Sequence, residues 1–401
     1  MTRFGRKRNR RQKLSVGAKV GIAAAAVAVL VGGIFAASWL MRPSQQEDPG
    51  VGADTPAAAD TVIHFVSGGD VNVTDKVVNA GGANFDYSGV LLDVVPVLSG
   101  GDLTTVNFEG NLYEQPYGSK HSSAPKELVQ ALRNAGVDIL QTANSKSVAN
   151  GILGLTATLD GIRNAGLQSV GTYASVEQFQ RYQGFLIREV DGIRIAITAF
   201  TKGMDGKGLP SGSEHCVNLL YEDYNSAYQT VDEAGIRSVL EAIEKQKPDI
   251  TIALLHWGSE FNDQISKTQE KIVEIMADGG VDAIVGTHPH YVQKIGFDEK
   301  TGMFIAYSLG DLLGDGDKAG TDYSVVLDME ITKNGKTGAV KISNYSYTPI
   351  YRYEDEAGNV RLLRIREALT AYENRSINAV TAEDYEAMKT ALSRIESRVN
   401  G

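Results

Sequence analysis

The chain has 401 residues, 42% hydrophobic and 22% charged, with one cysteine, Cys216; that balance excludes a wholly disordered or collagen-like protein, an intramolecular disulfide and a CxxC metal site. The net charge of −10 is uneven: residues 1–42 hold nine of the 39 Lys and Arg and no acid, leaving 30 basic against 49 acidic side chains in the rest, a net of −19. A body this acidic excludes tight nucleic-acid binding unless it carries a local basic patch.

Residues 1–19 read as a basic cytoplasmic tail. Val20–Met41 is 22 residues without a charge. At about 1.5 Å per residue it can cross a hydrocarbon core of about 30 Å, so it reads as a transmembrane helix. Eight of the nine basic residues precede it. The positive-inside rule then predicts a single-pass protein of a bacterial cell membrane, N-terminus cytoplasmic and main domain outside. Two other readings are a cleaved signal peptide, with Ala36-Ala37-Ser38 as small residues, and a twin-arginine export signal at Arg10-Arg11. The apolar run exceeds an h-region of about 7–15 residues, which favours an uncleaved anchor. Residues 42–60, rich in Pro, Gly, Ala and acid, read as a flexible linker.

From Thr61 short β-rich runs alternate with amphipathic helices. Strands are predicted at Thr61–Val66, Thr104–Phe108, Asp138–Thr142, Ile250–Leu255 and Ala283–Val285. Helices are predicted at Val90–Leu98, Pro125–Asn134, Leu153–Asn164, Val231–Gln246 and Gln264–Ala277. Hairpins are expected to turn at Asp191-Gly192, at Lys300-Thr301-Gly302 and at Asn334-Gly335. Residues 61–350 therefore read as one α/β domain with mixed sheets, and 351–401 as a helical C-terminal segment.

Polar residues gather just past the predicted strands, where layered α/β proteins form ligand crevices. Asp70 sits in SGGD, Asn107 and Glu109 in VNFEG, Asn144 after Thr142, His256 in LLHWG, and His288 and His290 in GTHPH. Carboxylate, amide and imidazole together suit Mn, Zn or Fe. Histidines two apart on an extended segment face the same way, so His288 and His290 are expected to share a site. Each residue also has a structural reading: Asp70 as a turn residue, His256 as a satisfied core histidine, Glu109 as a solvated acid. Asp315-Gly316-Asp317 lacks the bidentate acid of a calcium loop, and Cys216 lacks a visible catalytic partner.

Taken in order, SGGDVN, VNFEG, TAN, LLHWGSEF, GTHPHYVQ and AYSLGDLL resemble the CapA, or capsule-synthesis, family, whose domain has the calcineurin-like metallophosphoesterase fold. The resemblance runs from about Val62 to Tyr347. It implies a layered αββα sandwich with mixed sheets, here preceded by one transmembrane helix. It also implies a metal crevice formed by Asp70, Glu109, Asn144, His256, His288 and His290. The family pattern Asn-Asn-His followed by Asp is replaced by Asn144-Ser145-Lys146 and Ala149, and its Gly-Asn by Gly310-Asp311.

Lys146 and His256 are the candidate catalytic side chains. The Lys146 ammonium could stand where one of two metals would sit, leaving a mononuclear or metal-free site; alternatively Lys146 is a solvent-exposed loop residue. The resemblance implies work on a cell-envelope polyanion such as poly-γ-glutamate, or its precursor, alongside membrane-embedded synthesis or export proteins. Three functions are open: a membrane-anchored component of polymer synthesis, export or attachment with a partly degenerate site; an active metal-dependent hydrolase of phosphoester or amide bonds; and a non-catalytic sensor or structural ectodomain.

Overall fold

The computed structural model describes residues 59–377 and 379–401. The chain starts with four parallel strands, β1 (Thr61–Asn72), β2 (Leu103–Glu109), β3 (Ile139–Gln141) and β4 (Gln168–Val170). It then builds a second sheet from β5 (Phe185–Val190), β6 (Ile193–Thr201), β7 (Ile250–His256), β8 (Ala283–Thr287), β9 (Ile295–Phe297) and β10 (Phe304–Ala306), and returns to the first sheet with β11 (Asp311–Leu313), β12 (Tyr323–Lys333), β13 (Val340–Glu354) and β14 (Val360–Arg364). The first sheet runs β14-β13-β12-β1-β2-β3-β4, with β11 also paired to β1; the second runs β5-β6-β7-β8-β10-β9.

Period-two alternation sorts the side chains into layers. Ile193, Ile195 and Ile197 of β6 meet Ile63 and Phe65 of β1 and Val325 and Leu327 of β12 between the sheets. Ala196 of β6 and Leu255 of β7 face the opposite way, onto Ile236, Leu240, Ile272 and Met276 of the helices Glu233–Glu244 and Lys267–Asp278. Val66 and Val106 cover the outer face of the first sheet with Leu128 and Leu132 of the helix Lys126–Asn134. The expected αββα sandwich with mixed sheets is therefore what the described residues form.

Local chemistry explains most boundaries. Asp191 and Gly192 both take positive φ, 46° and 76°, as a two-residue hairpin turn requires. Ser266 and Gln269 close a capping box on the helix Lys267–Asp278. Val90–Leu98 is not one helix but two single turns, Ser88–Leu91 and Val95–Leu98. Pro96 lacks the N–H that a continuous helix needs there.

The C-terminal 351–401 segment is not purely helical. The end of β13 and all of β14 extend the first sheet before the helices Ile365–Glu373 and Ala382–Asn400 begin. Met388, Ala391, Ile395 and Val399 then pack into the core shared by the two sheets. The described residues form one compact unit.

The membrane topology is corrected. No helix among the described residues is long and apolar enough to cross a membrane. The longest of them, Ala382–Asn400, has 19 residues but carries charge along its length, where a span needs about 20 mostly apolar residues. The anchor expected at 20–41 lies outside the described residues. The single-pass location, the extracytoplasmic main domain and the membrane attachment inferred from that anchor are not supported, and nothing among the described residues identifies the envelope polyanion or the synthesis and export partners that the resemblance implied.

One irregularity positions the site. Ser67 pairs with Thr105 but Asp70 pairs with Asn107, so β1 holds one residue more than β2 across Gly68-Gly69. This bulge switches the faces of β1. Val66 and Val71 both reach the outer core despite being five apart, and Asp70 therefore turns inward, as Phe65 does. A Cβ at Gly69 would lie 1.8 Å from the Gly310 carbonyl oxygen, whereas one at Gly68 would meet side-chain methyls alone, Leu312 Cδ2 at 2.9 Å and Val106 Cγ1 at 3.0 Å. Gly69→Ala should therefore destabilise the fold by at least about 1–3 kcal/mol, and more than Gly68→Ala does. Chemical denaturation of the two variants checks this, and equal losses would sink it.

Candidate metal centre and adjoining cleft

Adjacent strands deliver the site residues in register. Asp70 is paired across the first sheet with Asn107 of β2 on one side and Asp311 of β11 on the other. Glu109 ends β2, and His256, at the end of β7, pairs with Thr287 of β8. His288 and His290 follow in the loop after β8. Asp70, Asn144 and His256 are fully buried, and Asn107, Glu109, Ser145, His288, His290 and Asp311 are at most 7% exposed.

Asp70, Glu109 and His290 form a mononuclear candidate metal cluster: one ligand atom from each lies within 4.8 Å of the other two. His290 Nδ1 is 2.7 Å from Asp311 Oδ1 and 3.8 Å from Asp70 Oδ2. Asn107 donates its amide N–H to Asp70 Oδ1, and the His288 backbone N–H donates to Asp70 Oδ2 at 3.1 Å. Glu109 Oε2 is buried with no hydrogen-bond partner. An unpartnered buried carboxylate oxygen demands a proton or a cation, so this donor set fits a divalent ion of the Mn, Zn or Fe class.

A second, uncharged half adjoins it. Ser145 Oγ lies 3.0 Å from His256 Nε2 and 3.5 Å from His288 Nδ1, and the two ring nitrogens are 3.1 Å apart. His256 Nδ1 faces Thr287 Oγ1 at 3.1 Å. His256 Nε2 is 3.7 Å from Glu109 Oε1, so His256 stands between the halves.

The electrostatics differ accordingly. Burial pushes the Glu109 carboxyl up to about 8 and Asp70 up to about 6, and neighbouring carboxylates add to the rise. Burial alone would lower His290, but Asp311, Glu109 and Asp70 outweigh it and hold the imidazole up at about 11. Burial drives His256 and His288 well below the ordinary range, helped by nearby cations, so both rings are neutral.

Two expectations need revision. His288 and His290 do not lie on an extended segment; both take positive φ, 93° and 58°, and their ring planes are inclined at 52°. One joins the neutral half and the other the charged half. Lys146 does not supply an ammonium to the carboxylate cluster. Its Nζ pairs with Asp205, and its side chain is 26% exposed. Burial lowers its pKa, but Asp205 and Glu109 more than restore it, so the amine stays protonated. Asn144 is brought to the site as a bracket. Its Nδ2 donates to Asn107 Oδ1 and the Phe108 carbonyl, and its Oδ1 accepts from the Lys146 N–H.

A cleft of about 230 Å³ opens beside His288, lined by Ser145, Lys202, Gly203, Asp205, Tyr228, Ser259 and Glu260. Lys202 was not expected from the sequence. The available signal was its place directly after the long apolar strand β6.

The family profile described as bacterial capsule synthesis protein PGA_cap matches residues 64–316. The chain is 27% identical over 304 residues to the PGA biosynthesis protein CapA of Bacillus subtilis (strain 168), covering 73% of this chain and 74% of the relative. It is 26% identical over 269 residues to the capsule biosynthesis protein CapA of Bacillus anthracis, covering 65% of this chain and 61% of that relative. Among solved structures, the calcineurin-like phosphoesterase YfkN from Bacillus subtilis aligns with TM-score 0.44 and 13% identity over 82% of this chain and 99% of that one. The 5′-nucleotidase from Candida albicans aligns with TM-score 0.42 and 12% identity over 84% of this chain and 58% of that one.

The raised groups give a pH dependence with a definite sign. Without metal, the folded chain keeps the Glu109 proton up to about pH 8, while the unfolded chain releases it near 4.5. Folding stability therefore falls as pH rises through that window. His290 acts in the same direction, because its stabilising protonation is lost from the unfolded chain near 6.5 and from the fold only near 11. A metal needs these groups deprotonated, so the rise in melting temperature on adding Mn²⁺ should grow from pH 5.5 to 8.5. A pH-independent shift would contradict the assignment, and Glu109→Gln should flatten the metal-free slope.

Proposed function

We propose that this chain, which belongs to the bacterial capsule synthesis protein family PGA_cap, is a metal-dependent hydrolase of phosphoester or amide bonds. The observation that carries this reading is the buried Asp70–Glu109–His290 cluster with an unpartnered Glu109 oxygen, set at the strand ends beside an open cleft.

Asp70, Glu109 and His290 would hold the ion. When bound, a divalent cation there supplies Lewis-acid polarisation of the scissile phosphoryl or carbonyl group. Asp311 orients His290 through its Nδ1, the arrangement expected of a carboxylate behind a ligating imidazole. Asn107 and the His288 N–H fix the Asp70 carboxylate.

The neutral half moves the proton. His256 and His288 are uncharged and their facing nitrogens are 3.1 Å apart, so the proton that the attacking water loses as its oxygen bonds the phosphoryl or carbonyl centre can be taken up at one ring, pass to the other and go to the leaving group as the scissile bond breaks. Ser145 Oγ bridges both rings and steadies that exchange. Lys146 takes no part as an acid in this scheme, because Asp205 holds its pKa above the ordinary lysine value, so the ammonium gives up its proton poorly near neutrality.

The test is hydrolysis of bis(p-nitrophenyl) phosphate, p-nitrophenyl phosphate and an acyl p-nitroanilide by the full-length chain, with Mn²⁺ or Zn²⁺ and after chelation. Turnover should require added metal. His290→Ala and Asp70→Asn should lower it at least about 100-fold, and His256→Ala should lower kcat by about 100-fold with little change in KM. Turnover that survives both chelation and His290→Ala would refute the reading.

A further inference from the structure

Lys202 begins the segment after β6, where its backbone N–H donates to the His256 carbonyl at 2.8 Å. The sheet register, Thr201 opposite His256, thus fixes Lys202 beside the reaction centre. Its side chain lines the cleft with Ser145 and His288. Nζ donates to the Gly258 carbonyl at 2.7 Å and lies 4.6 Å from the centre of the Tyr228 ring. Gly203 permits that approach, because a Cβ there would come within 2.6 Å of the ring.

Asp205 and Glu260 at the cleft favour the charged form of this ammonium only from a distance. Asp205 is engaged by Lys146. Glu260 is exposed, and among the described residues no carboxylate lies within 4.0 Å of Lys202 Nζ. An ammonium has three donors, and only one has a hydrogen-bond acceptor among these residues, Gly258. A half-buried cation with spare donors and no carboxylate in contact, facing a cleft, is a position for an anion. Burial lowers its pKa, which is the cost an incoming anion would relieve. The position also lies on the His288 side, away from the Asp70–Glu109–His290 cluster, so it would take a different group of the substrate.

We propose that Lys202 binds a second anionic group of the substrate, a carboxylate or a phosphate, flanking the bond to be cut. The substrate class is therefore a molecule with one anionic group beyond the scissile one, and Tyr228 forms the wall against which that part of the substrate rests. The inference rests on the hydrolase reading for the word substrate, but the anion position itself can be measured without turnover.

The experiment is calorimetric titration of the full-length chain, with and without Mn²⁺, using 3-phosphonopropionate, propane-1,3-diphosphonate and ethylphosphonate. Lys202→Met should weaken binding of at least one of the two-anion probes by about tenfold or more and change ethylphosphonate by less than about twofold. Lys202→Arg should keep most of the two-anion affinity, because the positive charge is retained. The probe that loses more identifies the second group as carboxylate or phosphate. A Lys202→Met variant with unchanged melting temperature that binds both two-anion probes as wild type does would overturn the proposal. So would a wild-type chain with no gain for either two-anion probe over ethylphosphonate. If Lys202→Met fails to fold, Lys202→Gln provides the same comparison. A Lys202-dependent gain in a chain that shows no metal-dependent turnover would leave the anion position standing and remove the hydrolase reading. Turnover with no Lys202-dependent gain would remove the anion position alone.

Discussion

Three carboxylates, Asp70, Glu109 and Asp311, are buried together where β1 and β2 end and β11 begins. Like charges in a dry site repel, and each carboxylate gives up hydration to be there. Among the described residues the compensation is partial. His290 carries a positive charge against Asp311 and Asp70, and Asn107 and the His288 N–H serve Asp70, but one Glu109 oxygen receives nothing. The surrounding architecture holds this arrangement in place, and its residual demand for a cation gives the site its chemistry.

The backbone meets that demand with two local departures from regular structure. The Gly68-Gly69 bulge turns Asp70 from the outer to the inner face of β1, and its close approach to the Gly310 carbonyl tolerates no side chain. After β8, positive φ at His288 and His290 sends the two imidazoles to different partners. Left-handed backbone at a residue other than glycine is costly and persists only where its surroundings enforce it. Here the Phe261 N–H bonds the carbonyl of the intervening Pro289 at 2.9 Å, and the Phe261 ring stacks on His290.

The site is electrically asymmetric. One half is charged and has the ligands for an ion. The other half, His256, His288 and Ser145, is neutral and linked by short contacts between ring nitrogens and a hydroxyl. Ser145 belongs to the neutral half, where its hydroxyl bridges two imidazoles. Lys146 pairs with Asp205, and Lys202 faces the cleft held by the Gly258 carbonyl and the Tyr228 ring, with no carboxylate in contact among the described residues.

Much of this was legible in the linear chain. Short β-rich runs located β2 and β7, because a strand buried on one or both faces needs apolar residues, and turn residues marked the hairpins that hold β6 and β12. Asp191-Gly192 marked its hairpin, because only a few residue types accept two successive positive φ values. The strand-end rule singled out Asp70, Glu109, His256, His288 and His290. Three-residue strands such as β4 and β11 are too short to show a period, and Pro96 divided a segment whose apolar pattern suggested one helix. A hydropathy run at 20–41 suggested a membrane anchor, but hydropathy alone does not establish a spanning helix, and the described helices supply none. Composition, motif order and strand periodicity thus determined the layered fold and the residue types at its crevice. Which way Asp70 faces, how the two late histidines divide, where the Lys146 amine goes and that Lys202 borders the cleft were decided only by tertiary structure. Each depends on a bulge, a left-handed turn or a partner distant in the chain, and what these do to a side chain's direction is set by contacts remote in sequence.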